Sequence, residues 1–250
     1  MELNLNDAGI CICKQVISKE EAVDWAEAAV ADVHAHSALM WRIRSDKRII
    51  AIFSKIWNTN DLITSFDGIG HRSPNESWEL DWHVDQDICE DKCVCVQGLL
   101  ALSGSSAANG GTQFAIGTHF YHDKCMRILK QRPRKWQFVS LEQTMLARFK
   151  KCQPSLKPGD MLLWDSRIAH RVPRPRIAHT ERTVAFLCMT PRQFATSSTL
   201  KRRRNAFEKG VSSTHWPHLF CERRGDNQLP PSSYKESPAI VRCLVDGNTG

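Results

Sequence analysis

Several things are missing from this sequence, and each absence closes a class of function. The opening residues, Met1-Glu2-Leu3-Asn4-Leu5-Asn6-Asp7, hold no apolar stretch of the kind that marks a secretory leader. No run reads as a membrane span. Val94 to His122 is free of Lys, Arg, Asp and Glu, but Gln97, Asn109, Gln113 and five glycines make it too polar for lipid. It reads instead as interior sheet with a loop inside it. There is no internal repeat and no low-complexity tract.

A matched set of cysteine pairs is absent too, since Cys11 and Cys13 are close in sequence but unaccompanied. The ten cysteines are scattered, and without an export signal they read as reduced thiols of an intracellular protein. Cys89, Cys93 and Cys95 resemble part of a zinc site. No second pair of matching spacing follows, however, and Cys95 alternates with Val94 and Val96 in a strand pattern.

A strong excess of one charge is likewise missing: 34 basic against 27 acidic side chains leave a formal net charge of only +7. The basic residues gather in local runs, Arg127 to Lys135, Arg148 to Lys151, Arg167 to Arg182, and Lys201-Arg202-Arg203-Arg204. Such runs can meet anions, but they read first as solvated faces. The last run lies in a helical pattern and is expected to face water. It is also the kind of segment read as a nuclear address, so the expected location is the cytoplasm, with the nucleus as the alternative. No groove-reading motif or aromatic-rich basic strand favours nucleic acid as a partner.

What is present is the mix of a soluble globular protein, 42% hydrophobic and 24% charged over 250 residues. A chain of this length buries roughly three quarters of its unfolded surface, enough for one core without staples. A single domain is expected, with a helical N-terminal part over about 1–60, a β core over about 61–192, and a helix and tail over about 193–250.

Ser18 and Glu21 form a capping box for a first helix, with Ala22, Trp25, Ala26, Ala29, Val30 and Val33 on one face. A second helix is predicted from Asp46 to Trp57. The period then changes. Leu62–Phe66, Leu80–Asp85, Val94–Leu102, Thr112–Ile116, Met161–Trp164 and Thr183–Met189 read as strands. Short helices are predicted near His119–Lys130 and Gln193–Lys209, the second stopped by Gly210. From Val211 the chain holds four of its eleven prolines and little periodicity, and reads as a tail wrapping the body. Helices followed by strands with glycine-rich turns suggest a β-sandwich or small barrel buttressed by helices.

The chemistry gathers at three residues. His83 and Asp85 are two apart in a strand pattern, so imidazole and carboxylate share a face. A Pro158-Gly159-Asp160 turn leads into a second apolar strand, then a polar bend, then His170. Two histidines and one carboxylate on one face of an octahedral metal form the facial triad of non-haem Fe(II) oxygenases. Twelve residues beyond His170, Arg182 opens another apolar strand and offers a forked, permanently charged partner for a carboxylate.

With its His-x-Asp, distal His and following Arg, the sequence resembles the phytanoyl-CoA dioxygenase-like family of Fe(II)/2-oxoglutarate-dependent oxygenases. Asp61 to Gly68 is similar to that family's opening strand, Trp82 to Gln86 to its metal strand, and Asn109 to His119 to its Gly-Gly-Thr…Gly-Ser-His turn. Ile116 stands where a proline is common in the family. The likeness covers Asp46 to Met189 and continues weakly through Thr214-His215-Trp216-Pro217.

This resemblance implies a double-stranded β-helix (jelly-roll, cupin-like) core. It implies His83, Asp85 and His170 as iron ligands, Arg182 as the partner of 2-oxoglutarate, and Gln97 and Thr112 as residues lining the cosubstrate pocket. Fe(II), 2-oxoglutarate and O2 are the implied cofactors. The implied reaction couples decarboxylation of 2-oxoglutarate to oxidation of a small or medium-sized organic substrate, and Asp85 favours hydroxylation because halogenases of this group lack that carboxylate. A non-catalytic jelly-roll binding protein, or an oxygenase acting on nucleic acid, is the alternative. Trp82 and Trp164 are expected to pack on the sheet's far side from the ligands, His119 and His122 to be helix-surface polarity, and the His215–His218 segment to dock the tail.

Overall fold

The computed structural model describes residues 4–86, 94–129, 139–223 and 239–247; Cys89 and Cys93 lie outside them. The first half of the chain forms α1 (Leu5–Ala8), β1 (Ile10–Cys13), α2 (Lys19–Ala31), α3 (Ala38–Arg44), α4 (Lys47–Trp57), β2 (Leu62–Thr64), β3 (Ile69–Arg72) and β4 (Leu80–Val84). Then come β5 (Val96–Ala101), β6 (Gln113–Ala115), α5 (His122–Ile128), β7 (Val139–Ser140), β8 (Lys151–Cys152) and β9 (Met161–Asp165). The remainder forms β10 (His170–Val172), β11 (Arg182–Pro191), α6 (Ser197–Lys209) and α7 (Ala239–Asp246). The architecture is mainly β, with antiparallel sheets and flanking helices.

Two compact units divide the chain, and each is assembled from two segments. The first comprises Met1–Val23 and His71–Thr183, the second Asp24–Gly70 and Val184–Gly250.

Within the first unit, β1 pairs with β9 and β9 with β5, both antiparallel. A five-stranded sheet runs β7-β4-β10-β6-β8. Strand β1 falls in the stretch expected to be helical. Its four residues, Ile10-Cys11-Ile12-Cys13, are too few to show a period in sequence. Glycines 110 and 111 serve a close approach. At Gly110, φ is +69° and a Cβ would stand 1.9 Å from Arg72 Nη1, so no other residue fits without displacing that arginine. Asn109 beside them accepts from the Ser106 N–H (2.8 Å) and donates to the Gly104 carbonyl (2.6 Å), which pins the loop carrying Ser105.

In the second unit, β11 pairs antiparallel with β2, Met189 opposite Thr64. Helix α4 starts where sequence placed it. Asp46 accepts the Arg48 N–H as N-cap, and Asn58 closes the far end at φ 52°. Such a cap contributes about 1 kcal/mol. The core is aromatic: Trp41 and Phe66 lie fully buried, and the Trp41 ring meets that of Phe207 edge-on at 5.0 Å.

Three expectations about surface and tail are corrected. Helix α2 ends at Ala31, leaving Val30 and Val33 exposed rather than on a buried stripe. The tail contains helix α7, whose Val241, Leu244 and Val245 are buried. Its eight residues follow a proline-rich polar stretch that hides the period. The basic run at 201–204 does not all face water, because Arg203 is fully buried. Its Nε donates to Val245 O, Nη1 to Pro217 O, and Nη2 to Thr64 O and Leu244 O, at 2.6–3.1 Å. Two of those acceptors belong to the last turn of α7, where carbonyls have no helical partner.

Candidate metal centre

Strands β4 and β10 are antiparallel neighbours, and their register sets His83 directly opposite His170. The two rings lie 4.2 Å apart, centroid to centroid. Asp85 sits just past the end of β4, in a bend rather than in the strand, yet its carboxylate still reaches both. Oδ1 is 3.7 Å from His83 Nε2 and Oδ2 is 3.2 Å from His170 Nε2. All three ligand atoms fall within 4.8 Å of one another.

The outer hydrogen bonds fix which ring nitrogen carries the proton. His83 Nδ1 is 2.7 Å from the Asp81 carbonyl and His170 Nδ1 is 3.1 Å from the Ile168 carbonyl. A carbonyl only accepts, so each Nδ1 carries a hydrogen and each ring presents its Nε2 toward Asp85. Two imidazole nitrogens and one carboxylate therefore face a single point. A cation satisfies that arrangement, and the donor set of two imidazoles and one carboxylate fits a divalent transition metal.

Asp85 is held from behind. Its backbone N–H reaches the Ser166 carbonyl at 3.3 Å. Ser166 Oγ donates to Gln86 Oε1 at 2.7 Å, and Gln97 Nε2 donates to Asp85 Oδ2 at 2.8 Å. His122 Nε2 lies 2.6 Å from the Gln86 carbonyl. Burial holds the His122 pKa below its ordinary value, so this is a neutral ring donating to a carbonyl. Thr118 does the same service for the other ligand, accepting the Ala169 N–H at 2.8 Å.

His119 and His122 are therefore not surface polarity. Both are buried, because a short 3-10 turn at Thr118–Tyr121 precedes α5 and rolls them inward. Ser166 and Thr118 escaped the sequence reading. Their one visible signal is position, since each lies within the stretches that carry the ligands or their turn.

Arg182 opens β11 and is almost completely buried. Its Nε donates to Ser105 Oγ at 3.0 Å and its Nη2 approaches Thr112 Oγ1 at 3.5 Å. Among the described residues it has no acidic partner. Burial, and next the charge of Arg72, push its pKa down to about 10, which leaves it cationic at neutral pH. Thr112 is two residues before Phe114, whose ring stacks on His170 at 5.8 Å. Period-two alternation places Thr112, and so the Arg182 contact, on the sheet face that carries His170.

Of the residues singled out in sequence, His83, Asp85, His170 and Gln97 meet one another directly, and Thr112 meets Arg182. Trp82 packs on the reverse face with Val84 and Ala169, as expected. Trp164 does not. It stands opposite Gln97 in the β5–β9 register, and its ring is 5.7 Å from His170 and 5.9 Å from Phe114.

The sequence matches the profile of the family described as Phytanoyl-CoA dioxygenase (PhyH) over residues 14–174. The chain belongs to the phytanoyl-CoA dioxygenase family. A curated relative of this family member is "Ava biosynthesis cluster protein O" of Aspergillus versicolor, 28% identical over 205 residues, which span 74% of this chain and 65% of the relative's length. Among solved structures, a hypothetical protein JW0805 from Escherichia coli superposes with a TM-score of 0.72 at 15% identity, over 96% of this chain and 80% of its own. HygX from Streptomyces hygroscopicus, solved with nickel and 2-oxoglutarate bound, gives 0.55 at 17% identity, over 75% of this chain and 84% of its own. At these identities the likeness concerns fold, and the fold shared with this family is a double-stranded β-helix core. Among the described residues no helix is long and apolar enough to cross a membrane.

Proposed function

We propose that His83, Asp85 and His170 hold Fe(II), that Arg182 with Ser105 and Thr112 receives the far carboxylate of 2-oxoglutarate, and that the enzyme hydroxylates a C–H bond of a small or medium-sized organic substrate. One observation carries the reading: the Nε2 atoms of both histidines and the Asp85 carboxylate lie within 4.8 Å of one another, with each Nδ1 turned away onto a backbone carbonyl. Bound iron supplies the redox chemistry that couples decarboxylation of 2-oxoglutarate by O2 to substrate oxidation, releasing succinate and CO2. The chain's own part is positional. Gln97 and the Ser166–Gln86 link orient the carboxylate, and the β4–β10 register aligns the two imidazoles. Arg182 fixes the cosubstrate through a buried fork of donors that water does not screen.

The basic runs give little support to a nucleic-acid substrate. Arg203 is spent on carbonyls, while Arg167 pairs with Asp165 at 2.7 Å and Arg174 with Glu79 at 3.0 Å. The deciding experiment is anaerobic titration of the apo-protein with Fe(II) and 2-oxoglutarate, followed by the visible metal-to-ligand charge-transfer band. The band is expected in the wild type and absent in His170→Ala and Asp85→Ala. If iron and 2-oxoglutarate fail to bind together in the wild type, the assignment fails.

A further inference from the structure

The ligand strands have two faces, and the reverse one is hollow. Val84 and Ala169, the chain neighbours of His83, Asp85 and His170, point away from the metal centre. They form the floor of a cavity of about 310 Å3. Its walls come from α5 and from the segment after β7, with Met126, Leu141, Met145 and Phe149 among them. A volume near 300 Å3 is the lower bound for pockets that enclose small ligands. The walls are mostly apolar, yet the lining includes Lys124, Arg148 and Arg167 and, among the described residues, no carboxylate.

The nearby acids each hold an arginine, although the Oδ1 of Asp123 is buried without a hydrogen-bond partner. Asp165 pairs with Arg167 at 2.7 Å, and Asp123 with Arg127 at 2.8 Å. Among the described residues, Lys124 and Arg148 have no acidic partner. Arg148 instead lies over the rings of Tyr121 (5.3 Å) and Phe149 (5.2 Å), which brace it against the cavity wall.

We propose that this cavity is a second small-molecule site, distinct from the metal centre, that takes an amphipathic carboxylate: an apolar chain or ring between α5 and the sheet, and an anionic head against Arg148 and Lys124. Charge complementarity selects the head, since two unpaired cations at an apolar hollow favour a monoanion over a neutral lipid. The apolar floor and the small volume select a single aliphatic or aromatic body. A peptide helix is too large, and a nucleotide base would find no hydrogen-bonding wall to meet its edges. The site also has a physical route to the iron ligands, since its floor is the other side of the same two strands. His122, another lining residue, bonds the carbonyl of Gln86 next to Asp85.

The test uses decanoate as probe and 1-decanol as its uncharged counterpart, titrated calorimetrically into the full chain. Decanoate is expected to bind one to one, and decanol at least tenfold more weakly. Arg148→Glu should weaken decanoate at least tenfold while leaving the iron–2-oxoglutarate absorbance band unchanged. Met145→Trp, which fills the cavity, should abolish binding. Saturating 2-oxoglutarate should leave decanoate binding in place. Displacement by 2-oxoglutarate would mean that the probe sits at Arg182, and the proposal falls. It falls equally if decanoate does not saturate one site, or if Arg148→Glu binds it as well as the wild type. The charge-reversal variant lies on an exposed residue, so the test survives even if the tryptophan variant does not fold.

Discussion

Two arginines, one in each unit, are both buried and, among the described residues, neither forms a salt bridge, yet they do opposite work. Arg203 in the second unit spends its donors on four backbone carbonyls from β2, α7 and the 217 turn. Arg182 in the first unit meets only two hydroxyls, Ser105 and Thr112. Burial lowers both pKa values, to about 9 and about 10, so burial alone does not separate a structural cation from a binding one. The partners do. Carbonyls fixed by secondary structure saturate Arg203 and tie three elements together. Hydroxyls are mobile rotors that can turn to a ligand without breaking the fold.

Replacing each arginine by methionine breaks this comparison most directly, and the larger effect belongs to Arg203. Its loss leaves four buried carbonyls without donors and should cost roughly 3–5 kcal/mol, read from a urea midpoint. The cosubstrate affinity of the folded fraction should be unchanged. Arg182→Met should do the reverse, weakening 2-oxoglutarate about 100-fold for the loss of a charge-assisted fork with the midpoint held or raised. A destabilised Arg182→Met that still binds 2-oxoglutarate normally would transfer the cosubstrate role to another side chain.

That contrast also shows what the sequence could and could not disclose. The ligands were legible because their chemistry is tied to spacing: His83 and Asp85 at i and i+2, a distal histidine after a turn and strand, and an arginine at the head of the next strand. Helix α4 and most core strands carried a clear period. Arg203 was not legible. In the string Lys201-Arg202-Arg203-Arg204 only helical phase distinguishes the buried member, and the charged residues on either side of it conceal that phase. Strand β1 is too short to show alternation, and α7 follows a stretch without pattern. His119 and His122 misled for a related reason. A 3-10 turn before α5 shifts the phase by which sequence assigns faces, and only the three-dimensional turn shows that both point inward. Trp164 was misplaced because the face it takes depends on the β5–β9 register, in which it pairs with the distant Gln97, and no local pattern encodes that pairing.

A middle-sized effect sharpens the comparison through acid. The second unit buries His36 against Trp41, Phe66 and Phe207, and His218 beside Trp216 and Phe194. Desolvation, aided by Arg44 at the first and Arg203 at the second, lowers both pKa values to about 4. The unfolded chain takes up these protons near 6.5 and the folded chain only near 4. Stability is therefore complete above about 6.5 and drains away as the pH falls toward 4. Between pH 6.5 and 5 the loss should be about 1.5 kcal/mol per histidine. Asp67, whose pKa burial raises, acts with the opposite sign, so the histidines are isolated by difference. His36→Phe should flatten the dependence of the denaturation midpoint between pH 6.5 and 5. An unchanged slope would show that His36 is already charged or accessible in the folded protein.

The smallest effect concerns the first unit's own version of structural saturation, at Ser166. Its hydroxyl donates to Gln86 and its carbonyl accepts from the Asp85 N–H, so one residue braces the bend in which Asp85 stands. Ser166→Ala removes only the hydroxyl bond. The fold should lose about 1 kcal/mol, but the carboxylate gains freedom where two imidazoles need it fixed, and partners behind metal ligands commonly carry 10- to 100-fold in affinity. Fe(II) affinity should therefore fall about tenfold, with 2-oxoglutarate affinity at saturating iron unchanged. If instead 2-oxoglutarate binding weakens and iron binding holds, Ser166 acts on the cosubstrate side, and the division between an iron-bracing network and an arginine-centred cosubstrate site would have to be redrawn. A merely structural role would move the midpoint and neither affinity, which makes the split between the two titrations the informative result.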